Sequence, residues 1–262
     1  MSTLVYPQLA TGALSQYPVR KTRRTRTVIN QAADGSTVRL ADTAGGTTEW
    51  QLAYAELSDD EAAALEAFFA AAEGSLQSFT FLDPAANLLA WSEQPGADVW
   101  QKDPQLAVAQ AVADPAGGTR GWRLTNQGAA DQAIAQTLAV PGAYTYCFSV
   151  YVRAAAPATV RLGIGDQAAD RVATSGWGRA VFVAAGTANT ESLRFSIAVP
   201  AGQAVEIYGP QVEAQGGASV YRPSTTGGVY ADAHLRDDTF RVTRTDFNRN
   251  SCTVNIIHAD HL

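Results

Sequence analysis

The 262-residue sequence contains few cysteines, few histidines and no long apolar run, and each shortage excludes a class of protein. Cys147 and Cys252 are too few and too far apart for a disulfide framework or a cysteine metal site. No segment approaches the run of about 18 apolar residues that crosses a bilayer. Residues 1–8 also lack the basic start and apolar stretch of a secretory signal. We therefore expect a chain that is made in a cytoplasm, stays soluble there and binds no membrane.

The sequence also lacks an excess of positive charge. Its formal net charge is −6, whereas proteins that bind nucleic acid mainly through phosphates need a basic face. A hydrophobic content of 46% excludes wholesale disorder. Basic residues concentrate in the first segment and in the last forty residues, while the middle is rich in Ala, Gly and Val. This shift in composition indicates an inserted module.

The first part of the chain predicts antiparallel strands followed by one helix. Asp34-Gly35 is a turn signal, and residues 50–54 alternate between apolar and polar side chains. Ser58 and Glu61 have the spacing of a capping box, in which each side chain accepts a hydrogen bond from the backbone N–H of the other residue. Three apolar side chains then form one stripe at helical spacing: Leu65, Phe68 and Phe69.

From residue 87 onward the pattern is uniformly β. Apolar and polar side chains alternate in four segments: residues 144–153, 160–164, 193–199 and 205–207. Strands at regular spacing, separated by Gly, Pro and Ala turns, indicate a sandwich or jelly roll.

Two last strands, residues 240–244 and 251–257, follow Gly227-Gly228. Two strands alone are marginal in water. We expect them to complete the sheet of the first segment, which makes the middle of the chain an insertion between two parts of one domain.

The flanking segments resemble phage minor and distal tail proteins, a group that includes the lambda-type tail-tip M protein and the distal tail proteins of gene transfer agents. The elements that carry the resemblance are a Tyr-Pro start, the basic strand, Asp34-Gly35, Trp50-x-Leu52-x-Tyr54, the capped helix and the FTFLDP motif of residues 79–84. The resemblance covers residues 1–84 and about 225–262. It implies a small β-barrel-like belt domain with one helix, which forms a ring between tail tube and tail tip.

The middle resembles carbohydrate-binding-like jelly rolls carried by phage structural proteins. The motifs are Asn87-Leu88-Leu89, Pro141-Gly142-x-Tyr144-Thr145, the SVYVRA motif of residues 149–154, Gly176-Trp177-x-Arg179, the YGPQVEA motif of residues 208–214 and Ser219-x-Tyr221-x-Pro223. The resemblance implies that residues 85–224 are an inserted β-sandwich, and that the whole chain is mainly β with a discontinuous belt domain.

The strongest charged feature is a basic run in the first segment: Arg20, Lys21, Arg23, Arg24 and Arg26. In a regular strand Arg20, Arg24 and Arg26 share one face, and Lys21 and Arg23 share the other. Three interpretations stay open. The run is a solvated edge that prevents pairing with other sheets, an interface whose guanidinium groups bind carboxylates of a neighbour, or a contact to DNA that passes through a tail lumen.

Five aromatic residues of the middle segment are candidates for contact with a glycan: Trp91, Trp100, Trp122, Tyr151 and Trp177. Tyr151 falls on the polar side of its strand, and the first three tryptophans lie in loops or short strands. Trp177 belongs to the sequence Trp177-Gly178-Arg179, which could offer a ring for stacking on a sugar. The alternative is that these rings pack in the sandwich, with an arginine stacked on Trp177.

No catalytic constellation is evident, so we expect no enzyme and no cofactor. A Ca²⁺ site stays open as an alternative, because modules of the kind that the middle resembles often hold one with carboxylates and loop carbonyls, although no DxDxDG-type loop is present. Glycoside hydrolysis needs two carboxyl groups about 5–10 Å apart, and spacing alone flags no such pair. No GxSxG turn occurs. His258 and His261 have a spacing that a strand cannot place on one face, and no third ligand accompanies them.

These observations predict a structural, ring-forming component of the distal end of a phage or phage-derived tail, assembled in the bacterial cytoplasm. Its partners are other copies of itself in a hexamer or, alternatively, a trimer, the tail tube, and the tail-tip or hub proteins. Host surface polysaccharide is a further candidate partner, and nucleic acid enters only as DNA in the tail lumen. One alternative is a glycan-binding adhesin of the tail, and another is a tail-associated hydrolase.

Overall fold

The computed structural model describes residues 4–260. Within that range the chain forms sixteen strands and one helix, which confirms the prediction of a mainly β protein with a sandwich. The helix, α1, comprises Asp59–Ala71. The strands in chain order are β1 (Val19–Gln31), β2 (Thr37–Leu57), β3 (Phe79–Leu82), β4 (Gln101–Lys102), β5 (Leu106–Val112), β6 (Gly121–Asn126), β7 (Gln132–Leu138), β8 (Thr145–Arg153), β9 (Ala158–Ile164), β10 (Gln167–Ala173), β11 (Gly178–Ala185), β12 (Leu193–Val199), β13 (Ala204–Glu213), β14 (Val229–Leu235), β15 (Val242–Asp246) and β16 (Arg249–Asp260).

The chain divides into two compact units. The first unit comprises residues 4–9, Ser15–Phe81 and 230–260, and the second comprises Ala10–Leu14 and Leu82–Val229. The sequence instead predicts an inserted module that begins at residue 85 and ends at residue 224. In the structure the short segment at residues 10–14 also belongs to the second unit.

The first unit is built on one sheet that both parts of the chain share. Its strand order is β1-β2-β16-β14-β3, and β15 pairs with β16. β2 is antiparallel to β1 on one side and to β16 on the other, where Trp50 lies opposite Ile256 and Leu52 lies opposite Val254. A cluster of aromatic rings fills the core of this unit: Tyr6, Trp50, Phe68, Phe79 and Phe81.

The helix begins as its capping box predicts. The Ser58 hydroxyl accepts a hydrogen bond from the Glu61 backbone N–H at 3.2 Å, and the Glu61 carboxylate accepts one from the Ser58 N–H at 3.0 Å. Leu65 and Phe68 are buried, and Phe69 stacks on Phe240 at 5.6 Å. The stripe predicted from the sequence therefore faces the core of the first unit.

Beyond the shared sheet, β1 and β2 continue as a two-stranded ribbon, which we define as residues 26–42. A bulge after Arg24 separates the ribbon from the rest of β1, and its pairs run from Arg26 opposite Asp42 to Gln31 opposite Thr37. All ribbon residues except the half-buried Asp42 are exposed. The strands close in a turn at which Gly35 adopts a φ of +83°, a conformation that glycine tolerates without strain.

The second unit is a sandwich of two five-stranded antiparallel sheets. One sheet has the order β10-β9-β12-β7-β4 and the other has the order β11-β8-β13-β6-β5. Alternate side chains of β8 point inward, and the rings of Tyr146 and Phe148 meet Phe195 of the opposite sheet edge to face. Of the two cysteines, Cys147 lies on β8 and Cys252 on β16; both are buried and neither forms a disulfide.

Candidate functional site

Charged and aromatic side chains gather on the outer face of the sheet β11-β8-β13-β6-β5. Because successive side chains of a strand point to opposite faces, Arg153 lies outside when Val152 lies inside. The register places Glu206 of β13 between Arg123 of β6 and Arg153 of β8. Tyr208, two residues further along β13, lies opposite Tyr151. Three separate strands thus bring one carboxylate and two guanidinium groups together.

Glu206 is held by both arginines. The Arg123 Nε donates a hydrogen bond to Glu206 Oε1 at 3.1 Å, and the Arg123 Nη2 donates to the same oxygen. The Arg153 Nε donates to Glu206 Oε2. Although burial of the carboxyl acts to raise its pKa, these hydrogen bonds hold the pKa of Glu206 below its usual value. The site therefore contains one ionised carboxylate and two cations.

A cleft of about 580 Å³ opens beside this cluster, lined by Arg123, Arg153 and Glu206. The remaining lining side chains are mostly small: Thr125, Ala154, Ala155, Ser175, Ala204 and Val205. Because these lining side chains are short, they leave the charged groups accessible from the cleft. The side chain of Arg123 is 56% exposed and that of Arg153 is 29% exposed.

Trp177 contacts the same guanidinium group of Arg153 that donates to Glu206. The guanidinium carbon of Arg153 lies 4.7 Å from the centre of the Trp177 ring, a distance typical of a cation–π contact. This contact is the arginine stacking given above as the alternative for Trp177. The indole N–H of Trp177 is buried and has no hydrogen-bond partner among the residues described. A side chain added at Gly176 or Gly178 would meet nothing within 4 Å, so the surroundings of this loop are open.

A second group of rings lies further along the same face. Tyr208 contacts Tyr151 at 6.1 Å and Tyr221 at 5.2 Å between ring centres. The guanidinium of Arg179 lies 5.4 Å from the Tyr151 ring, and that of Arg120 lies 5.2 Å from the Tyr208 ring. Tyr151 is therefore half-buried beneath an arginine and does not offer a bare ring to solvent.

Two predicted glycan contacts are core residues, and that part of the prediction is corrected. Trp100 and Trp122 are 4% and 1% exposed, and their rings meet edge to face at 5.3 Å. The Trp100 indole also donates a hydrogen bond to the backbone carbonyl of Trp91 at 3.0 Å. Neither buried ring is accessible to a sugar. Trp91 is 38% exposed and stays a candidate.

The sequence does not single out Arg123, and it offers Arg153 only as part of a motif. Glu206 is one of several carboxylates of the module for which spacing flags no partner. Each of these three residues lies in a strand between two buried apolar residues, so alternation alone predicts an outward side chain. Their meeting depends on the pairing of β6, β13 and β8, which are separated by long stretches of chain. A single sequence does not reveal that pairing.

The basic run of β1 lies on the first unit, and its arginines have partners within the chain. Arg23 pairs with Asp260 at 3.2 Å, Arg24 pairs with Glu49 at 3.1 Å, and Arg26 pairs with Asp42. Their side chains nevertheless remain 60–69% exposed.

The pairing register separates these cations onto two faces. Arg20 and Arg24 lie on the face of Gln51, whereas Lys21 and Arg23 lie on the face of Trp50. The Lys21 ammonium is 5.3 Å from the centre of the Trp50 ring. The strand thus presents positive charge on both sides.

Residues 4–260 contain no group of three or more side chains suited to hold a metal ion. Nor does this part of the chain include a helix with the length and hydropathy of a bilayer span.

No protein-family model matches the chain, and no curated protein matches it. Solved structures that share part of its fold include the CBM22-1 xylan-binding domain of Paenibacillus barcinonensis Xyn10C, with 17% identity, a TM-score of 0.41 and coverage of 51% of this chain and 96% of that one. TmCBM61 in complex with β-1,4-galactotriose has 14% identity and a TM-score of 0.37, with coverage of 48% and 97%. The enzymatically active domain of tailspike protein 4 of bacteriophage CBA120 has 12% identity and a TM-score of 0.37, with coverage of 51% and 22%.

Proposed function

We propose that this protein is a structural subunit of the distal end of a phage or phage-derived tail, where copies form a ring that joins the tail tube to the tip. Its sandwich is proposed to bind a saccharide at the periphery. The role is structural and recognitional, without a catalytic step. The observation that carries the proposal is the exposed ribbon. The flanking segments resemble tail proteins in the order of their elements, and this resemblance is the reason for proposing a tail as the assembly.

The ribbon should be only marginally stable in an isolated subunit. A two-stranded sheet with both faces in water is marginally stable, because it buries little apolar surface. Val28 and Leu40 lie directly opposite each other, and both are exposed large apolar residues, as is Val38 on the same face. A neighbouring subunit that covers this face would remove these side chains from water, which stabilises the ribbon.

The basic residues at the base of the ribbon fit the same role. An arginine has five N–H donors, and the internal pairs of Arg23, Arg24 and Arg26 do not use all of them. The remaining donors are available to bind carboxylates of a neighbour. A closed ring uses two different faces of each subunit, so a basic face on one copy would meet another face on the next. We expect a hexamer, with a trimer as the alternative.

The oligomeric state of the full chain tests this proposal. Light scattering and electron microscopy at increasing concentration should show a closed ring, with lobes at its rim from the sandwich. The double variant Val28→Ser/Leu40→Ser should shift the protein toward monomers, because it removes exposed apolar contacts without touching a core. The matched control is Val172→Ser/Val183→Ser, which changes two exposed valines of the sandwich and should leave the ring intact. A wild-type chain that stays monomeric at every soluble concentration contradicts the ring.

The second candidate function is that of a glycan-binding adhesin whose main work is recognition. It is favoured by the open cleft with its arginine pair and by the Trp177 support of Arg153. An adhesin of this kind would bind bacterial surface polysaccharide on a glycan array and could do so as a monomer. Binding by a protein that forms no ring would favour this function over the first.

A further inference from the structure

The residues that line the cleft on the sandwich carry more positive than negative charge. Its lining includes two arginines and only one carboxylate, Glu206. The low pKa of Glu206 keeps that group ionised, and each arginine is always charged. One unit of positive charge is therefore left for a ligand.

The arginines also retain unused hydrogen-bond donors. Arg153 engages Glu206 through Nε alone, so both of its terminal nitrogens lack a partner among the residues described. Arg123 uses Nε and Nη2 and keeps Nη1. The two terminal nitrogens of a guanidinium match the two oxygens of a carboxylate in a bidentate pair. Arg153 thus has the free atoms to hold a carboxylate.

Arg153 is fixed before a ligand arrives. Glu206 holds its Nε, and the Trp177 ring supports its planar face at 4.7 Å. A group that is already ordered loses less conformational entropy on binding. The small residues that line the cleft leave room for a ring-sized group beside it.

We propose that this cleft binds an acidic saccharide, a sugar that bears a carboxylate such as a hexuronic acid, with Arg153 and Arg123 as the residues that bind the carboxylate. The inference rests on the proposed saccharide-binding function and names its ligand class. Glu206 orients both arginines and at the same time competes for their positive charge. The carboxylate of the sugar makes charge-assisted hydrogen bonds, which are stronger than those of a neutral hydroxyl.

The test compares two matched probes by isothermal titration calorimetry on the full chain. One probe is a trisaccharide of galacturonic acid, and the other is the same trisaccharide with its carboxyl groups reduced to alcohols. The wild type should bind the acidic probe about tenfold more tightly or better, since one charge-assisted bond has roughly that effect. The preference should shrink as salt concentration rises, because a partly exposed charge pair is screened.

Substitutions then separate the cleft from the rest of the surface. Arg153→Gln should lower affinity for the acidic probe about tenfold and so abolish the preference for the acidic over the neutral probe. Glu206→Gln should raise affinity for the acidic probe, because the amide oxygen can still accept a hydrogen bond from an arginine while the competing negative charge is gone. The control is Arg161→Gln, an exposed arginine of the opposite sheet that pairs with Asp131 and Asp170. It should bind both probes like the wild type.

The outcomes distinguish this inference from the function on which it rests. Equal affinity for the two probes, or an Arg153→Gln variant that binds the acidic probe unchanged, overturns the acidic ligand but leaves saccharide binding in place. No binding of either probe counts against both. Binding of tri-glutamate as tightly as the acidic trisaccharide would overturn the saccharide in favour of an acidic peptide. If Glu206→Gln does not fold, the Arg153→Gln titration still decides the result, and Arg123→Gln should likewise lower affinity for the acidic probe.

Discussion

At the scale of single residues, Glu206 links the stability of the sandwich to pH. Its folded pKa is lowered, so the ionised form stabilises the fold at pH values above the ordinary glutamate pKa of about 4.3. That contribution is lost as the pH falls through the folded pKa. The residue that orients the two arginines thus also makes the sandwich sensitive to acid.

The corresponding prediction concerns Glu206→Gln. The variant should have a lower free energy of unfolding than the wild type at neutral pH, and the difference should shrink as the pH is lowered below about 4. Urea unfolding at a series of pH values measures this. Glu191→Gln, at an exposed loop position, serves as the control. A difference that stays constant with pH would contradict the ionised pairing.

Some tryptophans of the sandwich lie in the core and others lie at the surface, and substitution of the two kinds should lower the free energy of unfolding by different amounts. Trp122→Ala removes a ring that is 1% exposed and should cost about 3–5 kcal/mol of unfolding free energy. Trp91→Ala removes a ring that is 38% exposed and should cost less. Chemical denaturation followed by circular dichroism compares the two. Equal losses would mean that Trp91 is as important to the core as Trp122.

At the scale of elements, the sequence predicted those features that depend on residues close together in the chain, such as the start of a helix or the position of a strand. The Ser58–Glu61 capping box predicted the start of α1, and both of its hydrogen bonds are present. Alternation over residues 144–153 predicted β8, which spans Thr145–Arg153. The burial of Trp100 could not be read in this way, because it depends on a ring of β6 that is distant in sequence. The hydrogen bonds from Arg123 and Arg153 to Glu206 could not be read from the sequence either, because they join three strands that are distant in sequence.

The helix cap carries its own prediction. Ser58→Ala should lower the free energy of unfolding by about 1 kcal/mol, because it leaves the Glu61 backbone N–H without its acceptor. Thermal unfolding of the full chain measures the loss in the transition of the first unit. Ser175→Ala changes an exposed serine of a sandwich loop and is the control. An unchanged midpoint for Ser58→Ala would show that the cap adds nothing.

At the scale of the whole molecule, the two units depend differently on the end of the chain. β16 lies between β2 and β14 and also pairs with β15, so its loss would leave the sheet of the first unit divided. The sandwich draws all ten of its strands from residues 101–213. Composition and strand spacing pointed to such a module, but they could not reveal that residues 10–14 belong with it.

A truncation tests this difference. A chain that ends at residue 248 lacks β16 and should lose the folded first unit, whereas the sandwich should resist limited proteolysis as a fragment of about residues 82–229. The full chain digested in parallel should be protected in both units. Rapid degradation of the sandwich in the truncated chain would contradict its independence.

The burial of the two cysteines lowers their reactivity toward oxidants. Burial, with a smaller contribution from Glu213, raises the pKa of Cys147 to about 11, and burial raises that of Cys252 to about 11 as well. Almost no thiolate, the form that reacts with oxidants, is then present near neutral pH. We therefore expect neither thiol to cross-link the chain in aerated solution, so the stability of the protein should be the same with and without a reducing agent.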